Sequence, residues 1–170
     1  TNTGHAKSEL NLGNFYGRGI RDQEGKELLS RDWRKAKKWW GLSATKGVSR
    51  AQFNIGILYS KGITVPKDKV KSLMWFLISL EENNVFESDD RERSRSAVSK
   101  MKIKMFDFEI NQAQNFAREC IRKKYKECAV TETAEKDMDG NKAQTIIQTY
   151  GSIQMATTDY LVADVRRLPF

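Results

Sequence analysis

Cys120 and Cys128 are the only cysteines in the 170-residue chain, and His5 is its only histidine. Those three side chains bound the chemistry the chain can perform. A multi-histidine metal site is excluded by count, and a histidine-dependent triad would rest on His5, in a segment expected to fray. No H-E-x-x-H, no phosphate-binding glycine loop and no G-x-S-x-G elbow occurs. Carboxylates remain as an enzymatic option, but Asp89-Asp90 beside Arg91 reads as a charge pair at a helix N-terminus, where the dipole favours it. The sequence therefore assigns no catalytic residue, no metal ligand and no cofactor. The cysteines allow two readings, buried free thiols or a disulfide. Eight residues of unbroken helix span about 12 Å, whereas bonded cysteines have Cα atoms below about 7 Å apart. A bond thus needs the helix to end before Cys128 and the chain to turn back, and Lys123-Lys124-Tyr125-Lys126 offers no Gly or Pro to force that turn.

The elements that would carry these residues show themselves as a repeat. Ser8-Glu9-Leu10-Asn11-Leu12-Gly13-Asn14-Phe15-Tyr16-Gly17-Arg18-Gly19 is matched by Ala51-Gln52-Phe53-Asn54-Ile55-Gly56-Ile57-Leu58-Tyr59-Ser60-Lys61-Gly62. A second string follows each copy, Asp32 to Trp40 and Asp68 to Phe76. Trp39 and Trp75 are 36 residues apart, whereas Gly13 and Gly56 are 43 apart. The excess of seven lies between Gly19 and Asp32, in a polar segment read as a loop. Ser8, Leu12 and Tyr16 recur every fourth residue, one face of a helix. Gly13 and Gly56 lie beside that face, where a missing side chain lets a neighbouring helix approach. Gly19 and Gly62 suit helix ends, and Pro66 suits the start of the next helix. Ala36, Trp39, Trp40, Ser43 and Ala44 form the apolar and small face of the second helix, matched by Ser72, Trp75, Phe76 and Ser79.

These strings resemble the Sel-one-like repeat, a relative of the tetratricopeptide repeat, over residues 6–47 and 49–83. L-G-x-x-Y, the glycine turn and the aromatic pair all fall in order. Thr64 replaces the second glycine of the second copy, and Asn83 replaces its closing glycine. The resemblance implies an all-α fold of two helix-turn-helix repeats that binds proteins rather than catalysing a reaction. It also bears on the cysteines. Ala117 to Cys128 looks like the C-terminal end of exported bacterial members, which place disulfides at this C-x7-C spacing. The resemblance thus implies a Cys120–Cys128 bond, an oxidising compartment and, in bacteria, the periplasm. The chain begins at Thr1 and is expected to be a mature form or a part of a longer one, any signal peptide being already absent.

Composition agrees with one domain plus an appendage. Apolar residues make up 39% of the chain and 17 residues are aromatic, enough for a core. No run approaches the roughly 20 apolar residues needed to cross a bilayer. The net charge of +8 is uneven. Residues 129–170 hold four basic and six acidic side chains, leaving +10 on residues 1–128, and Arg31 to Arg50 holds seven basic residues and one acidic one. Such a field favours an acidic partner. An acidic protein surface, anionic lipid and nucleic acid are the candidates, and nucleic acid ranks last because no reading motif is present. A solvated, solubilising face is the plain alternative.

Beyond the repeats, Arg91 to Met105 and Glu109 to about Tyr125 read as two helices, interrupted at Phe106-Asp107-Phe108, that cap the repeat stack. Residues 1–128 are thus expected to form the repeat domain, and residues 129–170 an irregular extension that docks on the repeats or stays loose. Partner contact is expected on the side of the first helices opposite Leu12 and Tyr16. That side carries Asn11, Asn14 and Phe15, with Asn54, Ile57 and Leu58 as equivalents. Arg34, Lys37 and Lys38 would steer an acidic partner. By resemblance, the expected role is a periplasmic inhibitor or immunity protein that neutralises a secreted antibacterial effector, such as a type VI phospholipase toxin. Its rivals are an adaptor in an envelope assembly or signalling pathway and an enzyme acting on cell wall or β-lactam.

Overall fold

The computed structural model describes residues 3–81, 89–126 and 128. Its elements run α1 (Thr3–Arg18), β1 (Ile20–Arg21), β2 (Glu27–Leu29), α2 (Trp33–Ala44), α3 (Ser49–Lys61), α4 (Lys69–Ile78), α5 (Asp90–Lys102) and α6 (Asp107–Arg122). Helix α1 pairs with α2 and α3 with α4, α2 also packs on α3, and α5 and α6 cover α4. Among the described residues the fold is all-α apart from the small β1–β2 hairpin.

The repeated residues do repeated work. An ideal Cβ on Gly13 would lie 2.6 Å from the Trp40 indole nitrogen, and one on Gly56 2.6 Å from the Phe76 ring. Each glycine thus leaves the space its partner's ring fills, which sets how closely the two helices cross. Asp32 and Asp68 cap α2 and α4 by accepting the N–H groups of Lys35 at 3.0 Å and Lys71 at 2.9 Å. The backbone N–H of each aspartate donates to the carbonyl of the repeat-equivalent tyrosine of the preceding helix, Asp32 to Tyr16 at 2.8 Å and Asp68 to Tyr59 at 3.0 Å. Lys35 and Lys71 then lie over the Tyr16 and Tyr59 rings, 5.2 and 5.5 Å from the centroids. Buried serines close the pairs: Ser43 donates to the Ala6 carbonyl at 2.7 Å, Ser49 to that of Ser79 at 2.6 Å and Ser72 to that of Gly56 at 2.9 Å. Trp75 is fully buried while its equivalent Trp39 is half-buried, because α4 is covered on a further side by the last two helices.

The insertion between Gly19 and Asp32 is a hairpin rather than a plain loop. Asp22 Oδ1 accepts the N–H groups of Glu24 at 3.0 Å and Lys26 at 2.9 Å, and Gly25 takes a φ of 83°, so the chain reverses. Arg21 faces Glu27 across the strands at 3.6 Å. In the second copy no insertion follows, and Thr64 itself turns the chain at a φ of 61°. A β-branched residue rarely adopts that conformation, which suits the glycine usual at that point of the repeat.

The cap also differs from expectation in its boundaries. The break falls at Ile103–Phe106, and Asp107 and Phe108 already belong to α6. Glu109 explains the start, since its carboxylate accepts the Phe106 N–H at 2.9 Å. Ala113, Ala117 and Cys120 form the buried stripe of α6, and Ser94 and Val98 that of α5. The expected polar connection from Val85 lies mostly, and the extension 129–170 wholly, outside the described residues.

Two stability measurements check this packing. Replacing Gly56 by Leu drives a side chain into the Phe76 ring and should destabilise by roughly 1–3 kcal/mol or more in a denaturant titration; a neutral result would remove the crossing as the determinant of the pair. Thr64→Gly, at an exposed position, should instead raise stability by about 0.5–1 kcal/mol by relieving the left-handed backbone, offset in part by a freer unfolded chain.

Candidate protein-binding surface

The first helices of the two repeats present matching stripes. On α1, Lys7, Asn11, Asn14 and Arg18 follow the spacing of one helix face. Their equivalents on α3 are Arg50, Asn54, Ile57 and Lys61, and all eight are exposed or half-buried. Each stripe has basic residues at its ends, Arg50 being already paired with Asp89 and Asp90, and amide or apolar groups between them. Asn14 joins the helices: its Oδ1 accepts the Trp40 indole N–H at 3.0 Å and the Asn54 amide N–H at 3.2 Å. Asn14 and Asn54 therefore hold the surface in register as well as lining it, a role that the repeat pattern did not disclose.

Not every expected contact residue lies there. Leu58 is 1% exposed, so the sequence reading of it as a surface residue is corrected. Helix α3 packs against both α2 and α4, and its core face is accordingly wider than that of α1. Phe15, the equivalent of Leu58, is half-buried, Ile57 is half-buried and Asn11 is exposed. Arg34 is exposed, and Lys37 and Lys38 are half-buried. Arg34 and Lys38 lie roughly opposite the Ala36–Trp40 face of α2, since two residues turn a helix by about 200°. The expected site thus separates into a stripe on α1 and α3 and a basic face on α2 directed away from the α1 contact.

The other chemistry-bearing residues are tied into structure. Asp90 is buried and pairs with Nε of Arg50, while Asp89 bridges Arg50 at 3.3 Å and Arg93 at 2.7 Å. The two carboxylates stand at the N-terminus of α5 as the sequence suggested, and they also reach Arg50, about forty residues upstream. The pair anchors α5 to α3. Lys46 is bound to Glu9 across the first repeat. No group of three or more His, Cys, Asp or Glu side chains is placed to hold a metal among the described residues. On exposed α6, the Arg122 guanidinium holds the Glu119 carboxyl below its usual range and is itself raised by that carboxylate. Burial pushes the Tyr125 hydroxyl up, reinforced by the negative charge of Glu81.

Cys120 and Cys128 are joined, with Cα atoms 5.1 Å apart. The turn that needed a glycine is made without one. Lys124 and Tyr125 take φ values of 52° and 63° in succession. The Tyr125 N–H donates to the Cys120 carbonyl at 3.0 Å and the Lys124 N–H to that of Ile121 at 2.8 Å, which closes α6 in a Schellman motif. The bond and the two hydrogen bonds together hold a backbone that these residue types do not favour.

Stacked helix pairs built on glycine–aromatic crossings define an α/α-repeat protein. Comparison with known proteins gives the kind of repeat: residues 6–48 and 49–84 match the Sel1 repeat, so the chain carries two repeats of that kind. A crystal structure of a protective antigen present in uropathogenic Escherichia coli strains, displaying an SLR fold, superposes with a TM-score of 0.57 at 19% identity. The match covers 79% of this chain, beyond the two repeats, and 27% of that one, so the chain spans about a quarter of the longer protein. No curated protein sequence matches. Sel1 repeats mediate protein–protein interaction, and no helix among the described residues is long and apolar enough to cross a membrane.

Thiol titration tests the bond. Native, non-reduced protein from an oxidising compartment should show no titratable thiol, and reduction should cost about 2–3 kcal/mol for so short a loop. Two free thiols in that protein would leave α6 without its closure and the exported compartment without this support.

Proposed function

We propose that the chain is a non-enzymatic inhibitor of the periplasm, an immunity protein that binds and neutralises a secreted antibacterial effector such as a phospholipase toxin. The observation that carries the binding reading is the doubled stripe on α1 and α3, held in register by Asn14 and Asn54. Such a surface offers amide donors and acceptors with an apolar centre at Ile57, flanked by cations, to a partner with an acidic rim. The Cys120–Cys128 bond supports export, since such bonds persist in oxidising compartments. The basic face of α2, with Arg34, Lys37 and Lys38, would accelerate encounter rather than form the contact.

Capture on the immobilised full chain from periplasmic extracts of the host and of competing strains, followed by mass spectrometry, should return a secreted effector whose activity falls stoichiometrically as the protein is added. Recovery of an envelope-assembly component without inhibition would replace the immunity role by an adaptor role. With the captured partner, Ile57→Arg should raise the dissociation rate at least about tenfold. Reversing Arg34, Lys37 and Lys38 should slow association at low salt, by an amount that shrinks as salt rises.

A further inference from the structure

The turn between α5 and α6 carries the most exposed apolar side chains of the described residues. Ile103 is 84% exposed, Phe106 71% and Phe108 69%, and the two phenyl rings stack with centroids 5.9 Å apart. The turn is held firmly. Lys69 Nζ donates to the Lys104 carbonyl at 3.1 Å, Glu109 fixes the Phe106 N–H, and the Lys104 and Met105 N–H groups bond back to Met101 at 3.0 Å and Lys102 at 3.2 Å. Its projection is thus built into the backbone. Lys100, Lys102 and Lys104 alternate with the apolar residues on its α5 side, while Asp107 and Glu109 lie on its α6 side, Glu109 engaged in the cap.

Three side chains of this size remove roughly 400 Å² from water when covered, about half of the ~800 Å² per partner that a stable protein pair buries. The area is too small for a second copy of the chain to occupy it alone. A bilayer needs no matched surface: apolar side chains enter the acyl boundary one by one, while lysine heads stay among the phosphates. The net charge of +8 brings the chain toward an anionic surface. We propose that this turn is a membrane-docking tip, seating Ile103, Phe106 and Phe108 in the interfacial layer of an anionic phospholipid bilayer with Lys102 and Lys104 at the headgroups. The tip is independent of the protein-binding stripe.

Co-sedimentation of the full chain with vesicles tests it. The protein should bind vesicles of equal parts phosphatidylglycerol and phosphatidylcholine, bind phosphatidylcholine alone much less, and release as salt rises. Phe106→Ala with Phe108→Ala should weaken binding at least about tenfold at an unchanged thermal midpoint. Lys102→Glu with Lys104→Glu should remove most of the salt-sensitive part. If the paired alanine variant loses its fold, Ile103→Ser gives the same readout from the most exposed of the three positions. The proposal is overturned if the wild type leaves both vesicles in solution, or if the phenylalanine and Ile103 variants bind as it does. It is equally overturned if binding is lost only on reversing Arg34, Lys37 and Lys38, which would make it a diffuse charge effect. A dimer in sedimentation velocity that the alanine pair disperses, without vesicle binding, would give the turn to a second copy instead.

Discussion

An aromatic ring laid into the space of a missing side chain fixes how far apart the helices of each pair stand. Trp40 fills the gap at Gly13 and Phe76 the gap at Gly56, and with any larger residue there the helices would have to part. That separation lets short side chains reach across: Ser43 and Ser72 meet carbonyls of the facing helix, which a serine can do only at close approach. It also places Asp32 and Asp68 under Tyr16 and Tyr59, so that the cap, the ion pairs of Lys35 with Asp32 at 3.7 Å and Lys71 with Asp68 at 3.8 Å, and the cation–ring contact share one junction. None of these contacts is large alone. Together they define one geometry, because each is satisfied only when the crossing is right.

The end of the stack has a different problem. A helix pair leaves its outer face apolar, and α4 would be exposed there. Helices α5 and α6 cover it with small residues, Ala113 and Ala117 on one and Ser94 on the other, so that backbones approach without large side chains between them. Ser79 marks the change of role: its hydroxyl donates to the Phe76 carbonyl at 2.7 Å and accepts from Ser94 at 2.7 Å, whereas its equivalent Ser43 donates to an α1 carbonyl. A buried ion pair from Arg50 to Asp90 ties the cap to the second repeat, and removing one partner of such a pair would leave a buried charge uncompensated. The disulfide closes the last helix where the sequence supplies no glycine.

Charge and exposed apolar surface are distributed over separate parts of this framework. Cations flank the α1–α3 stripe, a basic face lies on α2, and the aromatic turn stands at the junction of α5 and α6. The two proposed contacts are compatible because they draw on different helices.

The repeat itself was legible in the sequence, since glycine, tyrosine, aspartate and paired aromatics at fixed offsets are local demands of turns, caps and crossings. Gly13, Gly56, Gly19, Gly62 and the Cys120–Cys128 pairing could be read there, the last through resemblance. What the residues meet across space could not be read. Leu58 and Phe15 occupy the same repeat position, yet only Leu58 is buried, because α3 has neighbours on more sides than α1. Asp89 and Asp90 also reach Arg50, some forty residues away, and no local pattern marks so distant a contact, unlike the i,i+4 bridge from Asp89 to Arg93. Asn14 looked like a solvent-facing amide until Trp40 and Asn54 were seen to share its oxygen. Periodicity determines which face of a helix is apolar; the number of helices packed around it decides how much of that face is buried, and only the tertiary structure supplies that number.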